Sequence, residues 1–124
     1  MHLRGIRGAT TAEANTEDAI LNATQELLHE MVAANRVETD EIAAIIFTCS
    51  PDLTAAYPAE AARQMNWTAV PLLSATEIAV PGSVVRCIRV LMLWNTPGTQ
   101  SEIVHTYLRG ASELRPDLKP PQRS

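Results

Sequence analysis

An α+β fold, with a mixed β-sheet of about five strands and helices packed on one face, is what this sequence predicts. Three observations lead there. A single long helical stripe follows the first strand, and two apolar runs of β-type residues are bounded by proline and glycine. The element order, β-α-β-α-β-β-α-β, mixes neighbouring strands with long-range ones. At 124 residues the chain is one domain, against a usual size of about 150. Residues 1–118 form that domain and 119–124 a flexible tail.

Met1 to Ala12 reads as the first strand, punctuated by Gly5 and Gly8, which weaken a strand unless something approaches its backbone closely. Asn15 and Thr16 are helix-capping types, and Glu17 and Asp18 follow where the helix dipole favours anions. Ile20, Ala23, Leu27, Met31 and Ala34 then recur every three or four residues, the stripe of a helix that Asn35 closes. Thr39-Asp40 opens a short helical turn. Ile42 to Cys49 is a continuous apolar run ended by Pro51, as in a strand buried on both faces. Pro58 suits the start of a second helix, Pro58 to Met65. Val70 to Ala75 is a short strand, Pro81-Gly82 a turn, and Val84 to Asn95 the longest strand. Beyond Pro97-Gly98, Ser101 to Leu108 has room for two helical turns and Gly110 to Leu114 for a final strand. Arg115 to Ser124 is proline-rich and aperiodic.

The long strand is apolar on both faces: Val84, Ile88, Val90, Met92 and Trp94 on one, Val85, Cys87, Leu91 and Leu93 on the other. A chain of this size buries only about two thirds of its unfolded surface. Homo-oligomerisation through the sheet is the economical way to cover the second face.

Composition narrows the function. Hydrophobic residues make up 46% and charged residues 19%, the balance of a globular protein. A net charge of −4 argues against a nucleic-acid groove, which needs a clustered basic footprint. No apolar stretch approaches the roughly 20 residues of a membrane span, and Met1-His2-Leu3-Arg4-Gly5 has no signal-peptide core, so a cytoplasmic location is expected. Cys49 and Cys87 read as buried reduced thiols. Of the three histidines, His2, His29 and His105, neither His2 nor His29 has a carboxylate or cysteine at metal-ligand spacing, and no nucleotide-binding or nucleophile motif occurs. Binding, or catalysis by electrostatics alone, remains, with no metal and no cofactor.

Lys119 is the one lysine among ten basic residues. Planar guanidinium forks grip carboxylates bidentately where lysine does not. Arg89 falls in the middle of the long strand with Cys87 and Leu91 as its same-face neighbours. An unpaired guanidinium there costs several kcal/mol, so Arg89 needs an anion: a carboxylate of the chain such as Glu77, or an anionic ligand. Arg7 sits where small flanking residues admit a ligand, although taken alone it reads as a surface arginine. Arg63 and Arg115 are surface residues by default, and Tyr107 suits core or contact equally. The spacing stops at a pocket for a small polyanion.

The segments Arg4-Gly5-Ile6-Arg7-Gly8-Ala9-Thr10-Thr11, Thr48-Cys49-Ser50-Pro51-Asp52-Leu53, Tyr57-Pro58-Ala59 with Arg63, Cys87-Ile88-Arg89-Val90, His105-Thr106-Tyr107-Leu108 and Leu114-Arg115-Pro116-Asp117-Leu118 together resemble one family. In that order and spacing they are similar to the monofunctional, AroH-class chorismate mutases. The resemblance implies a homotrimer whose sheets form a barrel-like core, with a site at each subunit interface. It implies isomerisation of chorismate to prephenate without cofactor or metal. It also implies that Arg7 and Tyr107 hold a substrate carboxylate, and that Arg89 faces the ether oxygen and a carboxylate. Glu77, assisted by Ser74, would accept a hydrogen bond from the ring hydroxyl. Tyr57, Ala59, Arg63, Leu72, Leu73 and Arg115 would line or close the pocket. Two positions depart from the pattern. Ser74 stands where the family often has cysteine, and Glu60 where it often has lysine, so Glu60 is expected to point to solvent.

The chemistry suits the residues. A unimolecular pericyclic rearrangement needs no nucleophile, base or metal, only a folded conformer and a cation at the oxygen where charge develops. Two other readings stay open, the first with the same pocket. One is a non-catalytic trimeric binding or sensor protein for a small dicarboxylate metabolite. The other is a structural domain whose arginines bridge subunits.

Overall fold

The computed structural model describes residues 1–114. Five strands, β1 (His2–Thr11), β2 (Ile42–Cys49), β3 (Leu72–Thr76), β4 (Cys87–Thr96) and β5 (Thr106–Tyr107), form one sheet in the order β3-β2-β4-β1-β5. The sheet is mixed. β4 runs antiparallel to both β1 and β2, while β2–β3 and β1–β5 are parallel pairs. Two helices, α1 (Glu17–Asn35) and α2 (Ala59–Gln64), complete the α+β architecture.

Helix α1 starts at Thr16, whose side chain accepts from the Ala19 backbone N–H at 3.2 Å, and carries Glu17 and Asp18 in its first turn. Its apolar stripe buries Ile20, Leu27, Leu28 and Met31 completely. It ends one residue later than the sequence suggests, at Arg36 in the left-handed conformation (φ 55°). Asn35 instead reaches across the fold, donating to the Val104 carbonyl and accepting from the Val104 N–H. Both helices pack on the sheet face formed by Ile6, Ile45, Phe47, Val90 and Met92, and this is the main core.

Among the described residues the other face is covered only at one end, where Ala111, Tyr107 and Leu114 pack with Ala9 and Cys87. Cross-strand register puts Leu3, Arg7, Ala44, Ile46, Thr48, Leu73, Arg89, Leu91 and Leu93 there. Leu3 and Leu73 are 54% and 62% exposed. The two-faced apolar pattern of β4 is thus the signature of one covered and one bare face.

Three sequence expectations are corrected. β4 begins at Cys87 rather than Val84, because Arg86 adopts a positive φ of 48° that no strand accommodates. Residues 101–108 form a 3-10 turn at Gln100–Glu102 followed by β5, not two helical turns. Residues 110–114 lie mostly in a 3-10 turn, Arg109–Glu113, rather than a strand. Both changes have one cause: the backbone of this segment is captured by β1, with the Leu108 N–H donating to Ala9 at 2.9 Å and the Gly110 N–H to Thr11 Oγ1 at 3.2 Å.

Candidate active site

Arg89 is the third residue of β4 and projects from the bare face, opposite Ala9 on β1 and Thr48 on β2. Its surroundings differ from the apolar enclosure expected for it. Arg89 and Leu91 are both exposed: among the described residues, the apolar cluster on that face takes in Ala9 and Cys87 but neither of them. Among the described residues, no carboxylate forms an ion pair with Arg89 or with Arg7.

The start of β4 is fixed by a polar latch. Ser50 Oγ donates to Asp52 and accepts from the Cys87 N–H at 2.9 Å. Asp52 also accepts from the Arg86 N–H at 2.9 Å, and Arg86 Nε donates to the Ala12 carbonyl at 3.0 Å. The hydrogen bond from Ser50, helped by Arg86, holds the Asp52 carboxyl below its usual pKa. Two residues after this latch comes Arg89. Burial pushes the Cys49 and Cys87 thiols up, so both stay protonated and unreactive at neutral pH.

Glu77 follows β3, and its N–H donates to the Cys49 carbonyl at 2.9 Å. Its carboxylate accepts a hydrogen bond from Thr48 Oγ1. Arg7, on β1, is steadied through its backbone N–H, which donates to His105 Nδ1 at 2.9 Å. Tyr107 stands opposite Ala9 on β5. A side chain at Gly8 would meet Met31 and Leu27 of α1, while Gly8 and Ala9, the small residues beside Arg7, line one cavity with it.

Arg7, Glu77, Arg89 and Tyr107 line a single open cavity of about 310 Å³, together with Thr48 and Leu114. That volume is at the lower end of the usual small-molecule range. Tyr57 and Ser74 line a different cavity, of about 670 Å³, and Arg63 and Leu72 a third. Leu73 is on the bare face, while Ala59, the first residue of α2, is packed in the core. Arg115 and the expected tail lie outside the described residues. Glu60, expected to point to solvent, has a side chain 44% exposed; it lines the cavity with Tyr57 and accepts from Arg63 Nη1 at 2.9 Å. Sequence reasoning passed over Thr48 and His105. The signal for Thr48 was a lone hydroxyl in an apolar strand.

One cavity that gathers two arginines without ion pairs, a glutamate and a tyrosine suits a small organic anion with a hydrogen-bonding hydroxyl. The sequence profile of the family described as chorismate mutase type I matches residues 3–118. The chain belongs to this family. Chorismate mutase AroH of Thermus thermophilus is 56% identical over 97% of this chain and 99% of its own length. The Bacillus subtilis protein of the same name is 40% identical over 95% of this chain and 94% of its own. A solved chorismate mutase from Clostridium thermocellum matches with a TM-score of 0.87 at 51% identity, covering 88% of this chain and 97% of that one. As a type I chorismate mutase the chain is an isomerase of aromatic amino-acid biosynthesis.

Proposed function

We propose that this chorismate mutase converts chorismate to prephenate by electrostatic preorganisation in the cavity beside Arg89, completed by a neighbouring copy in a homotrimer. The observation that carries the reading is the joint placement of Arg7, Glu77, Arg89 and Tyr107 around one opening on the bare sheet face. Neither arginine there is spent on an ion pair among the described residues.

The rearrangement breaks the carbon–oxygen bond of the enol-pyruvyl ether as a carbon–carbon bond forms, with no atom gained or lost. Arg7 and Tyr107 bind one carboxylate and select the folded conformer, removing rotational freedom before the barrier is met. Arg89 faces the ether oxygen. Negative charge there grows as the bond stretches, so the guanidinium binds the transition state more tightly than the substrate, the condition for acceleration. Glu77 accepts from the ring hydroxyl, with Ser74 assisting.

The bare face supports the trimer. Leu3 and Leu73, more than half exposed, are apolar surface wanting cover, and sheets closing on one another into a barrel-like core would supply it. Tyr57, Arg63 and Ser74 line other cavities than Arg89 in one chain. They complete the site when they come from the adjacent subunit.

The test is loss of chorismate ultraviolet absorbance with purified protein, alongside sedimentation. Arg89→Ala lowers kcat by about a hundred- to a thousandfold with assembly intact, and Arg89→Lys restores little of it, a compact hydrated ammonium being a poor substitute. Full turnover by Arg89→Ala overturns the assignment. A wild-type protein that binds chorismate but leaves the absorbance constant would be the dicarboxylate sensor instead.

A further inference from the structure

We propose that Thr48 is a positioning residue for the rearrangement, holding the Glu77 carboxylate in the orientation that receives the substrate hydroxyl. The inference rests on the reading of Glu77 as a substrate contact.

The geometry comes from the sheet. Thr48 is paired with Arg89 of β4 on one side and with Ala75 of β3 on the other. Its side chain therefore rises from the bare face between the strand bearing Arg89 and the one that leads to Glu77. Thr48 is β-branched, so χ1 is stiff in a strand and the hydroxyl direction is fixed by the backbone. That hydroxyl donates to Glu77 Oε2. Glu77 has a second anchor, its own N–H on the Cys49 carbonyl at 2.9 Å. Backbone and carboxylate are thus tied to consecutive residues of β2.

The anchorage matters because little else holds Glu77. The backbone hydrogen bonds of Val80 and Ser83 stay within the loop, to Ile78 and Val80, and Ile78 and Val80 are 83% and 57% exposed. Among the described residues no ion pair fixes the Glu77 carboxylate. A glutamate side chain left to itself samples many rotamers, and a misplacement of about 1 Å at a reacting centre can cost about a hundredfold in rate. Thr48 occupies Oε2 and leaves Oε1 available to the ligand. A carboxylate accepts at both oxygens, so one bond to the protein and one to the substrate are compatible. Supporting residues that lock the rotamer of a contacting group are how such sites keep their geometry.

The experiment is a double-mutant cycle read in kcat and KM, with circular dichroism to check folding. Thr48→Val, nearly isosteric, removes only the hydroxyl; it lowers kcat about tenfold and changes KM less. Thr48→Ser regains most of the lost rate. In a Glu77→Ala background, itself slow, Thr48→Val costs nothing further, because the carboxylate it served is gone. The inference is overturned if Thr48→Val is as fast as wild type, if Thr48→Ser is as slow as Thr48→Val, or if the loss persists undiminished beside Glu77→Ala. Should Glu77→Ala by itself leave kcat unchanged, the reading of Glu77 as a substrate contact fails, and the inference with it.

Discussion

Gly8 of β1 lies directly against Met31 of α1: a Cβ on Gly8 would stand 2.4 Å from the Met31 sulfur and 3.2 Å from a Leu27 methyl. The missing side chain is what lets the helix settle on the sheet. Met31 and Leu27 are completely buried, so neither can swing aside into solvent. Gly8→Ala is expected to destabilise the fold by about 1–3 kcal/mol, the usual penalty for overfilling a packed core. Urea denaturation measures it. A variant as stable as the parent would show that α1 can lift without cost.

The pair formed by Glu60 and Arg63 gives a second expectation. Arg63 is proposed to meet a substrate carboxylate, yet Glu60 Oε1 stands 2.9 Å from its Nη1 and places a negative charge near a dianion. Both side chains are about half exposed, where such pairs contribute about 0.2–1 kcal/mol. Glu60→Gln should therefore lower KM by up to about fivefold, with little effect on kcat. Salt screens exposed charges, so the advantage should shrink as ionic strength rises. Steady-state kinetics at low and high salt decides it, and an unchanged KM at low salt removes Arg63 from the binding set.

Acid should loosen the latch at the start of β4. The folded Asp52 pKa lies below its ordinary value of 3.8, chiefly through the hydrogen bond from Ser50. Its contribution to stability is complete above that ordinary value and is lost as the pH falls through the lower, folded one. Asp52→Asn should melt at a lower temperature than the parent at neutral pH, and the gap should narrow in acid. A gap of constant size would exclude Asp52 from the acid response.

Much of the fold was legible because the long elements obey simple periods. The stripe from Ile20 to Met31 and the apolar run of β2 stand in the structure close to where their patterns put them. The end of the chain was not legible. Residues 101–114 carry no strong period, and their course is set by partners distant in sequence: Asn35 at Val104, Ala9 at Leu108 and Thr11 at Gly110. The site divides in the same way. Arg89 stands out as a charge in an apolar strand, and Arg7 gains meaning only because cross-strand register places it on the same face. The exposure of Arg89 was hidden. The sequence predicts one sheet face turned away from the helices, but not that Arg89 stands on it in the open. Thr48 was hidden for a related reason: its partner Glu77 is 29 positions away, a separation that no local pattern spans.

The scattering of Arg89, Tyr57 and Arg63 over three separate openings of one chain also bears on inheritance. With each reaction centre shared between adjacent copies, as proposed, a lesion at Arg89 and one at Arg63 damage opposite walls. Mixing two such inactive proteins would rebuild some intact centres from their undamaged halves, so a cell carrying both alleles could make prephenate where neither allele alone suffices.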